Sequence, residues 1–173
     1  METGLVHILT GDGPGKTTSA LGTALRAIGH GYKVYMIMFV KGKSDFGEVL
    51  LSKKIPNFTL VFSGRDAFVD RKKPEKIDFK LAQKNLALAR EVVMSGKFEL
   101  VILDEINVAI NFGLVELNDV IELVKEKPKK VELILTGRGA KKELLKVADY
   151  VTEMREIKHP YSRGLLAREG IEY

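Results

Sequence analysis

Short runs of apolar, β-branched residues alternate along the chain with stretches in which apolar residues recur every three or four positions. The runs are bounded by glycine, asparagine or charged residues and are typical of strands buried on both faces of a sheet. They predict five strands, over residues 5–9, 34–40, 59–62, 100–103 and 131–135.

The stretches between these runs have the spacing of amphipathic helices. The first covers residues 20–28 and is followed by the stop signal Gly29-His30-Gly31, the second covers 79–93 and ends near Gly96, and the third covers 117–124. Strands that alternate with helices predict an α/β fold with a mostly parallel central sheet, right-handed crossovers and helices on both faces.

Two segments, residues 64–74 and 155–173, show neither period and carry Gly, Pro, Arg and aromatic residues. Ligands of open α/β sheets bind beyond the carboxyl ends of the strands, so we expect both segments to be loops over a site there. At 173 residues, the chain fits one domain with its own core. We therefore predict a single domain, 1–173, with the tail of about 155–173 packing over the site.

The strongest local pattern follows the first strand and precedes the first helix. There, glycines would let backbone N–H groups converge on phosphate. The helix N-terminus adds partial positive charge, and Lys16 adds a full positive charge. The Thr17 hydroxyl is a suitable ligand for Mg²⁺. Thr10 stands where the usual spacing of a P-loop has a glycine. A glycine-rich turn that binds nothing is the alternative. The predicted phosphate loop is Gly11-Asp12-Gly13-Pro14-Gly15-Lys16-Thr17-Thr18.

The predicted strand 100–103 runs into two carboxylates, Asp104 and Glu105. Behind a P-loop, such a pair is typical of an Mg²⁺ site that includes Thr17, although an isolated pair more often caps the next helix. Arg138, in Thr-Gly-Arg-Gly after another strand, has two open interpretations, a phosphate contact or a surface ion pair. His159 is open in the same way, as a functional or a structural imidazole.

Composition narrows the classes of function. The chain has no cysteine, which excludes disulfides, thiolate metal sites and cysteine nucleophiles. The net charge is +5, but the basic clusters are short and no nucleic-acid module accompanies them, so we expect solvated lysines and no nucleic-acid partner. No apolar stretch reaches the length of a membrane span, and no signal-peptide pattern opens the sequence. We expect a cytoplasmic protein without a membrane partner.

Nearly the whole chain resembles the P-loop type of ATP:corrinoid adenosyltransferases. The family loop, similar to TGxGxGKTTxAxG, corresponds to residues 10–22, and the tail matches in register from Ala148 to Tyr173 without a gap. Further similar segments are Phe39-Val40-Lys41-Gly42, Gly47-Glu48, Leu103-Asp104-Glu105 and Thr136-Gly137-Arg138-Gly139.

The resemblance implies a RecA-like P-loop NTPase fold and an enzyme in which Co(I) of a reduced corrinoid attacks the 5′ carbon of ATP and expels triphosphate. It further implies a reductase that supplies Co(I), and a homodimer. Lys16, Thr17 and Glu105 would be catalytic, Thr17, Asp104 and Glu105 would hold Mg²⁺ or Mn²⁺, and the nucleotide would contact residues 11–18 together with Lys41, Glu48 and Arg138.

Two departures from the family stand out. Pro14 replaces a common lysine and removes one loop N–H donor. The family's Phe-Trp pair after the glycine equivalent to Gly64 is missing, since the run is Gly64-Arg65-Asp66-Ala67-Phe68 and the chain has no tryptophan. Two other functions stay open. The P-loop itself also fits a kinase or ATPase, and the two departures also fit a nucleotide- or corrinoid-binding regulator without catalysis.

Overall fold

The computed structural model describes residues 2–40, 45–62, 69–70 and 73–173. Within these ranges, six strands form one entirely parallel sheet. The strands are β1 (Val6–Thr10), β2 (Val34–Met38), β3 (Phe58–Phe62), β4 (Leu100–Asp104), β5 (Glu132–Thr136) and β6 (Tyr150–Glu153). Their spatial order is β3-β2-β4-β5-β1-β6.

The helices connect successive strands, as parallel pairing requires. They are α1 (Lys16–Gly29), α2 (Gly47–Ser52), α3 (Lys76–Ser95), α4 (Ile106–Asn111), α5 (Leu117–Glu126) and α6 (Lys142–Leu145), and a short 3₁₀ helix follows at Pro160–Arg163. No helix in the described ranges is long and apolar enough to span a membrane.

Alternate residues of the central strands belong to two separate cores. On β4, Val101 and Leu103 pack with α3, α4 and α5, whereas Leu100 and Ile102 pack with α1 and α2. Side chains of a strand point to opposite faces in turn, so two buried faces need the continuous apolar runs seen in the sequence. The α/β fold with helices on both faces is confirmed.

The predicted helix ends follow from local chemistry. Helix α1 ends at Gly29, and Gly31 adopts a left-handed φ of 79°. Helix α3 begins with a capping box between Glu75 and Asp78 and ends at Ser95, followed by its C-cap Gly96, which has a φ of 60°. Both ends lie where the glycines predicted them.

The observed strands correct several predicted boundaries. Strand β2 ends at Met38 rather than at residue 40, and β1 and β5 each begin and end one residue later than predicted. A sixth strand, β6, was not predicted, because its four residues are all exposed and carry no buried apolar run. It extends the sheet beyond β1 and lies directly before the tail.

Candidate functional site: a phosphate loop at the mouth of the sheet

The glycine-rich loop joins β1 to α1 at the carboxyl edge of the sheet, where β1 lies between β5 and β6. Gly11 and Gly15 have φ angles of 93° and 108°, which side chains rarely adopt. Gly15 is the N-cap of α1 and provides no side-chain cap. The first amides of the helix therefore face the loop without a side-chain acceptor from this residue, as in an anion-binding helix N-terminus.

Lys16 lies inside the loop rather than in solvent, and only 8% of it is exposed. Its Nζ donates hydrogen bonds to the carbonyl oxygens of Gly11, at 2.8 Å, and Gly13, at 2.7 Å. The loop thus encloses its cation with backbone acceptors. A phosphate oxygen could replace either carbonyl and form a charge-assisted hydrogen bond.

The hydroxyl of Thr17 reaches across to the end of β4. Its Oγ1 donates to Oδ1 of Asp104 at 2.9 Å, and Oγ1 of Thr136 donates to the same oxygen at 2.7 Å. Asp104 is fully buried, and its Oδ2 has no hydrogen-bond partner among the described residues. The cluster therefore presents a buried carboxylate oxygen with spare acceptor capacity beside a P-loop hydroxyl.

Glu105 has an unusual backbone, with a φ of 61° and a ψ of 21°. It is the only residue other than glycine with a positive φ in the described ranges, and it is the N-cap of α4. Its amide donates to Oγ1 of Thr136 at 2.9 Å. A Cβ on Gly137 would come within 3.2 Å of Glu105 Oε2, so this glycine leaves room for the carboxylate.

The structure places the remaining predicted contacts around this centre. Asp12, Pro14 and Thr18 are exposed on the loop, and Thr18 Oγ1 donates to Gly15 O at 3.1 Å. Glu48 is half-buried in the first turn of α2. Lys41, Arg65 and Phe68 lie outside the described residues.

Arg138 is exposed beside Gly139. The side-chain amide of Asn111 donates to the carbonyl oxygens of both residues, at 3.0 and 2.8 Å. The backbone of this turn is therefore held by α4, whereas Arg138 itself is exposed. His159, whose interpretation was open, accepts a hydrogen bond on Nδ1 from the Tyr161 amide at 3.2 Å and caps the 3₁₀ helix.

Sequence reasoning missed one component of the loop, the segment after β6. The Gly13 amide donates to Met154 O at 2.7 Å, and the Met154 amide donates to Thr10 O at 2.8 Å. A Cβ on Gly11 would lie 2.4 Å from the carbonyl oxygen of Met154, and a Cβ on Gly13 would lie 2.7 Å from backbone atoms of Arg155. The glycine spacing was the available signal, because it marks a second backbone in close contact.

A second polar cluster lies at the opposite, amino edge of the sheet. Glu132 forms a hydrogen bond with His7 Nε2 and accepts the Leu5 amide at 2.6 Å. Burial alone would raise the pKa of Glu132, but the hydrogen bonds from His7 and Leu5 and the nearby charge of Lys127 leave it below its ordinary value. Burial lowers the pKa of Lys127. This cluster belongs to the sheet rather than to the loop.

Comparison with protein families gives one match over residues 2–173, the family described as ATP:corrinoid adenosyltransferase BtuR/CobO/CobP. A protein of Sinorhizobium sp. named corrinoid adenosyltransferase is 35% identical over 174 residues, which cover 99% of this chain and 81% of that protein. One of the same name from Escherichia coli K12 is 34% identical, over 99% of this chain and 87% of the relative.

Among solved structures, the sheet and helices resemble a KaiC-like protein of Pyrococcus horikoshii, with a TM-score of 0.59 and 18% identity over 98% of this chain and 76% of the other. The flagellar accessory protein FlaH of Methanocaldococcus jannaschii gives a TM-score of 0.61 and 16% identity, over 88% and 72%. At these identities the likeness concerns the fold, which is that of the RecA-like P-loop NTPases.

Proposed function

Because this chain belongs to the ATP:corrinoid adenosyltransferase family, we propose that its P-loop holds the triphosphate of ATP as a leaving group. The chain is a corrinoid adenosyltransferase, an enzyme that transfers an adenosyl group from ATP to a corrinoid. The observation that supports the assignment of the loop is the burial of Lys16 against the carbonyl oxygens of Gly11 and Gly13, beside Thr17, whose hydroxyl donates to Asp104.

In the proposed reaction, Co(I) of the reduced corrinoid attacks C5′ of ATP. A Co–C bond forms, the bond between C5′ and the triphosphate oxygen breaks, and triphosphate leaves with the electron pair. The substrate supplies the nucleophile, so the protein needs no nucleophilic side chain and no general base. Its tasks are to align the two substrates and to stabilise the charge of the leaving group.

The loop residues would perform the second task. Backbone amides of the loop, other than that of Gly13, which donates to Met154 O, and Pro14, which has none, would bind the phosphates. Lys16 would exchange the carbonyls of Gly11 and Gly13 for phosphate oxygens. Lys41, Glu48 and Arg138 are the proposed outer contacts of the nucleotide. Pro14 contributes no amide, so we expect fewer hydrogen bonds at that point of the loop than a lysine would give.

The side chains at the end of β4 fit a magnesium ion. Thr17, Asp104 and Glu105 offer hard oxygen ligands, and Oδ2 of Asp104 is buried with unused acceptor capacity. In the described ranges, no group of three or more His, Cys, Asp or Glu residues could hold a metal. One or two carboxylates combined with nucleotide phosphates are the usual Mg²⁺ arrangement. When bound, Mg²⁺ or Mn²⁺ would neutralise charge on the triphosphate.

The corrinoid would occupy the side of the loop that the tail borders. Ile157, Tyr161 and Leu166 are 94%, 70% and 74% exposed, which leaves apolar side chains available to a large, partly apolar ligand. We propose that residues 155–173 pack over the site when both substrates are bound. We also propose a homodimer, a cytoplasmic location and a separate reductase that supplies Co(I).

Product analysis tests this function. The protein is incubated with MgATP and chemically reduced cobalamin, and the products are separated under red light. We expect triphosphate and a light-sensitive Co–C product in equal amounts. ADP with free or transferred phosphate would instead indicate a kinase or ATPase, and tight binding of both ligands without product would indicate a regulator.

A further inference from the structure

Thr136 lies at the carboxyl end of β5, between β1 and β4, and is fully buried. Its hydroxyl forms two hydrogen bonds of opposite sense. It donates to Oδ1 of Asp104 at 2.7 Å and accepts the amide of Glu105 at 2.9 Å. One hydroxyl therefore contacts both members of the acidic pair, through the side chain of the first and the backbone of the second.

The bond to Asp104 determines which carboxylate oxygen remains available. Oδ1 already accepts two hydroxyl protons, one from Thr17 and one from Thr136. Because both hydroxyls donate to Oδ1, the other carboxylate oxygen, Oδ2, has no hydrogen-bond partner in the described part of the chain. A buried carboxylate whose other oxygen is held by two hydroxyl groups keeps its orientation toward a cation.

The bond to Glu105 acts on the backbone. Glu105 has a φ of 61°, a conformation unfavourable for a residue with a side chain, and it begins α4 in that state. Such a conformation persists where surrounding contacts over-determine it. The Thr136 hydroxyl is one such contact, because it binds the Glu105 amide directly.

We propose that Thr136 is a positioning residue that aligns Asp104 and Glu105 for the nucleotide-bound metal ion without touching nucleotide or corrinoid. The inference rests on the proposed metal site at the end of β4. It assigns a role to the threonine of the Thr-Gly-Arg-Gly segment, in which the sequence pattern indicates only the arginine as a candidate contact. The hydroxyl is the required group, because its donor and acceptor functions are both in use.

Variants at residue 136 separate this role from simple packing. Thr136→Val keeps the volume and removes both hydrogen bonds, Thr136→Ser keeps both, and Thr136→Cys keeps the volume with a weaker donor. Thr23→Val, on the exposed side of α1, is the control for a threonine hydroxyl that bonds only to the backbone, at Ser19 O. Thermal unfolding of each variant shows that it is folded at the assay temperature.

The readout is ATP binding by calorimetry, in EDTA and across a series of Mg²⁺ concentrations. We expect Thr136→Val to raise the half-saturating Mg²⁺ concentration about tenfold, as outer-shell substitutions do, while metal-free ATP binding stays unchanged. Thr136→Ser should lie within about twofold of the wild type, and Thr136→Cys should lie between Thr136→Ser and Thr136→Val. A merely structural role would weaken binding with and without metal alike.

Two results would overturn the inference for different reasons. If ATP binding by the wild type does not respond to Mg²⁺, the proposed metal site itself is wrong. If the wild type responds and Asp104→Asn abolishes the response, while Thr136→Val behaves as the wild type, the metal site stands and the role of Thr136 is wrong. Should Thr136→Val be unfolded, the comparison of Thr136→Cys with Thr136→Ser decides the question in the same way.

Discussion

Lys16 supplies the one full positive charge that the described structure places inside the phosphate loop. In Lys16→Ala, the proposed charge-assisted bonds to triphosphate would be lost. We expect MgATP affinity to fall by about 10- to 100-fold, because such a bond contributes about 1.5–3 kcal/mol. Calorimetric titration with MgATP measures the effect.

The matched control is Lys80→Ala, which removes the same charge from the exposed side of α3. The MgATP affinity of this variant should stay within about twofold of the wild type, since salt screens exposed charges that lie far from the loop. Equal losses in both variants would point to overall charge rather than to the loop.

The left-handed backbone at Glu105 gives a second prediction at residue scale. Glu105→Gly and Glu105→Ala both remove the carboxylate, but only glycine adopts a φ of 61° without a steric penalty. The glycine variant should be more stable than the alanine variant by about 1 kcal/mol. Urea unfolding measures the difference, and an alanine variant that is equally stable would show that residue 105 relaxes out of this conformation.

At this scale the sequence predicted the chemistry of the centre but not its connections. The spacing of Lys16 and Thr17 after a strand, and of Asp104 at the end of another, was sufficient to bring them to one edge of a parallel sheet. The hydroxyl of Thr136 was not recognisable, because its partners lie more than thirty positions away in the chain and only pairing between β4 and β5 makes them neighbours.

Among the elements, the pairing of β1 with β6 determines the shape of the phosphate loop. A Cβ on Gly13 would lie 2.7 Å from both C and O of Arg155, and backbone atoms cannot move aside as a flexible side chain can. We expect Gly13→Ala to destabilise the protein by about 1–3 kcal/mol, as overpacking does, and to weaken ATP binding. Chemical denaturation and calorimetry measure the two effects.

Gly22→Ala is the paired variant, because Gly22 lies within α1 and a Cβ there would meet no atom within 4 Å. It should stabilise the protein by about 0.5–1 kcal/mol through the helix propensity of alanine. If Gly13→Ala were as stable as Gly22→Ala, the segment after β6 would have to be more adaptable than its contacts indicate.

The sequence predicted elements where burial was continuous and failed where it was not. Residues of strands β1 to β5 are buried beneath helices, and this burial requires the apolar runs that are visible in the sequence. Strand β6 is an edge strand with four exposed residues, so its pairing with β1 comes from backbone hydrogen bonds that leave no hydrophobic pattern. Helix α4 was missed because it is short and begins at the left-handed Glu105.

Stability of the whole molecule should depend on pH through Glu132, whose side chain is 16% exposed. Its pKa lies below the ordinary value of 4.5 in the folded protein. Well above pH 4.5 the carboxylate is ionised in both states, and its hydrogen bonds with His7 and Leu5 stabilise the fold fully. As pH falls, the unfolded chain takes up the proton first, so this stabilisation is lost until the folded-state pKa is passed.

Urea unfolding between pH 3 and 7 measures this effect. Glu132→Gln should be less stable than the wild type at pH 7, and its stability should fall less between pH 5 and 3, since the group that titrates is gone. Glu116→Gln, on an exposed carboxylate at the start of α5, should leave the wild-type profile unchanged. A Glu132→Gln profile parallel to that of the wild type would contradict the assignment.

The two backbone hydrogen bonds that join Met154 to Thr10 and Gly13 have a consequence for how the protein is made. The proposed phosphate loop is synthesised long before Met154, whose backbone closes it. A nascent chain that has not been extended past Met154 lacks this closing segment, so its loop cannot take the form described above. We therefore expect nucleotide binding only in chains extended past Met154, and ATP would stabilise these chains in preference to shorter ones.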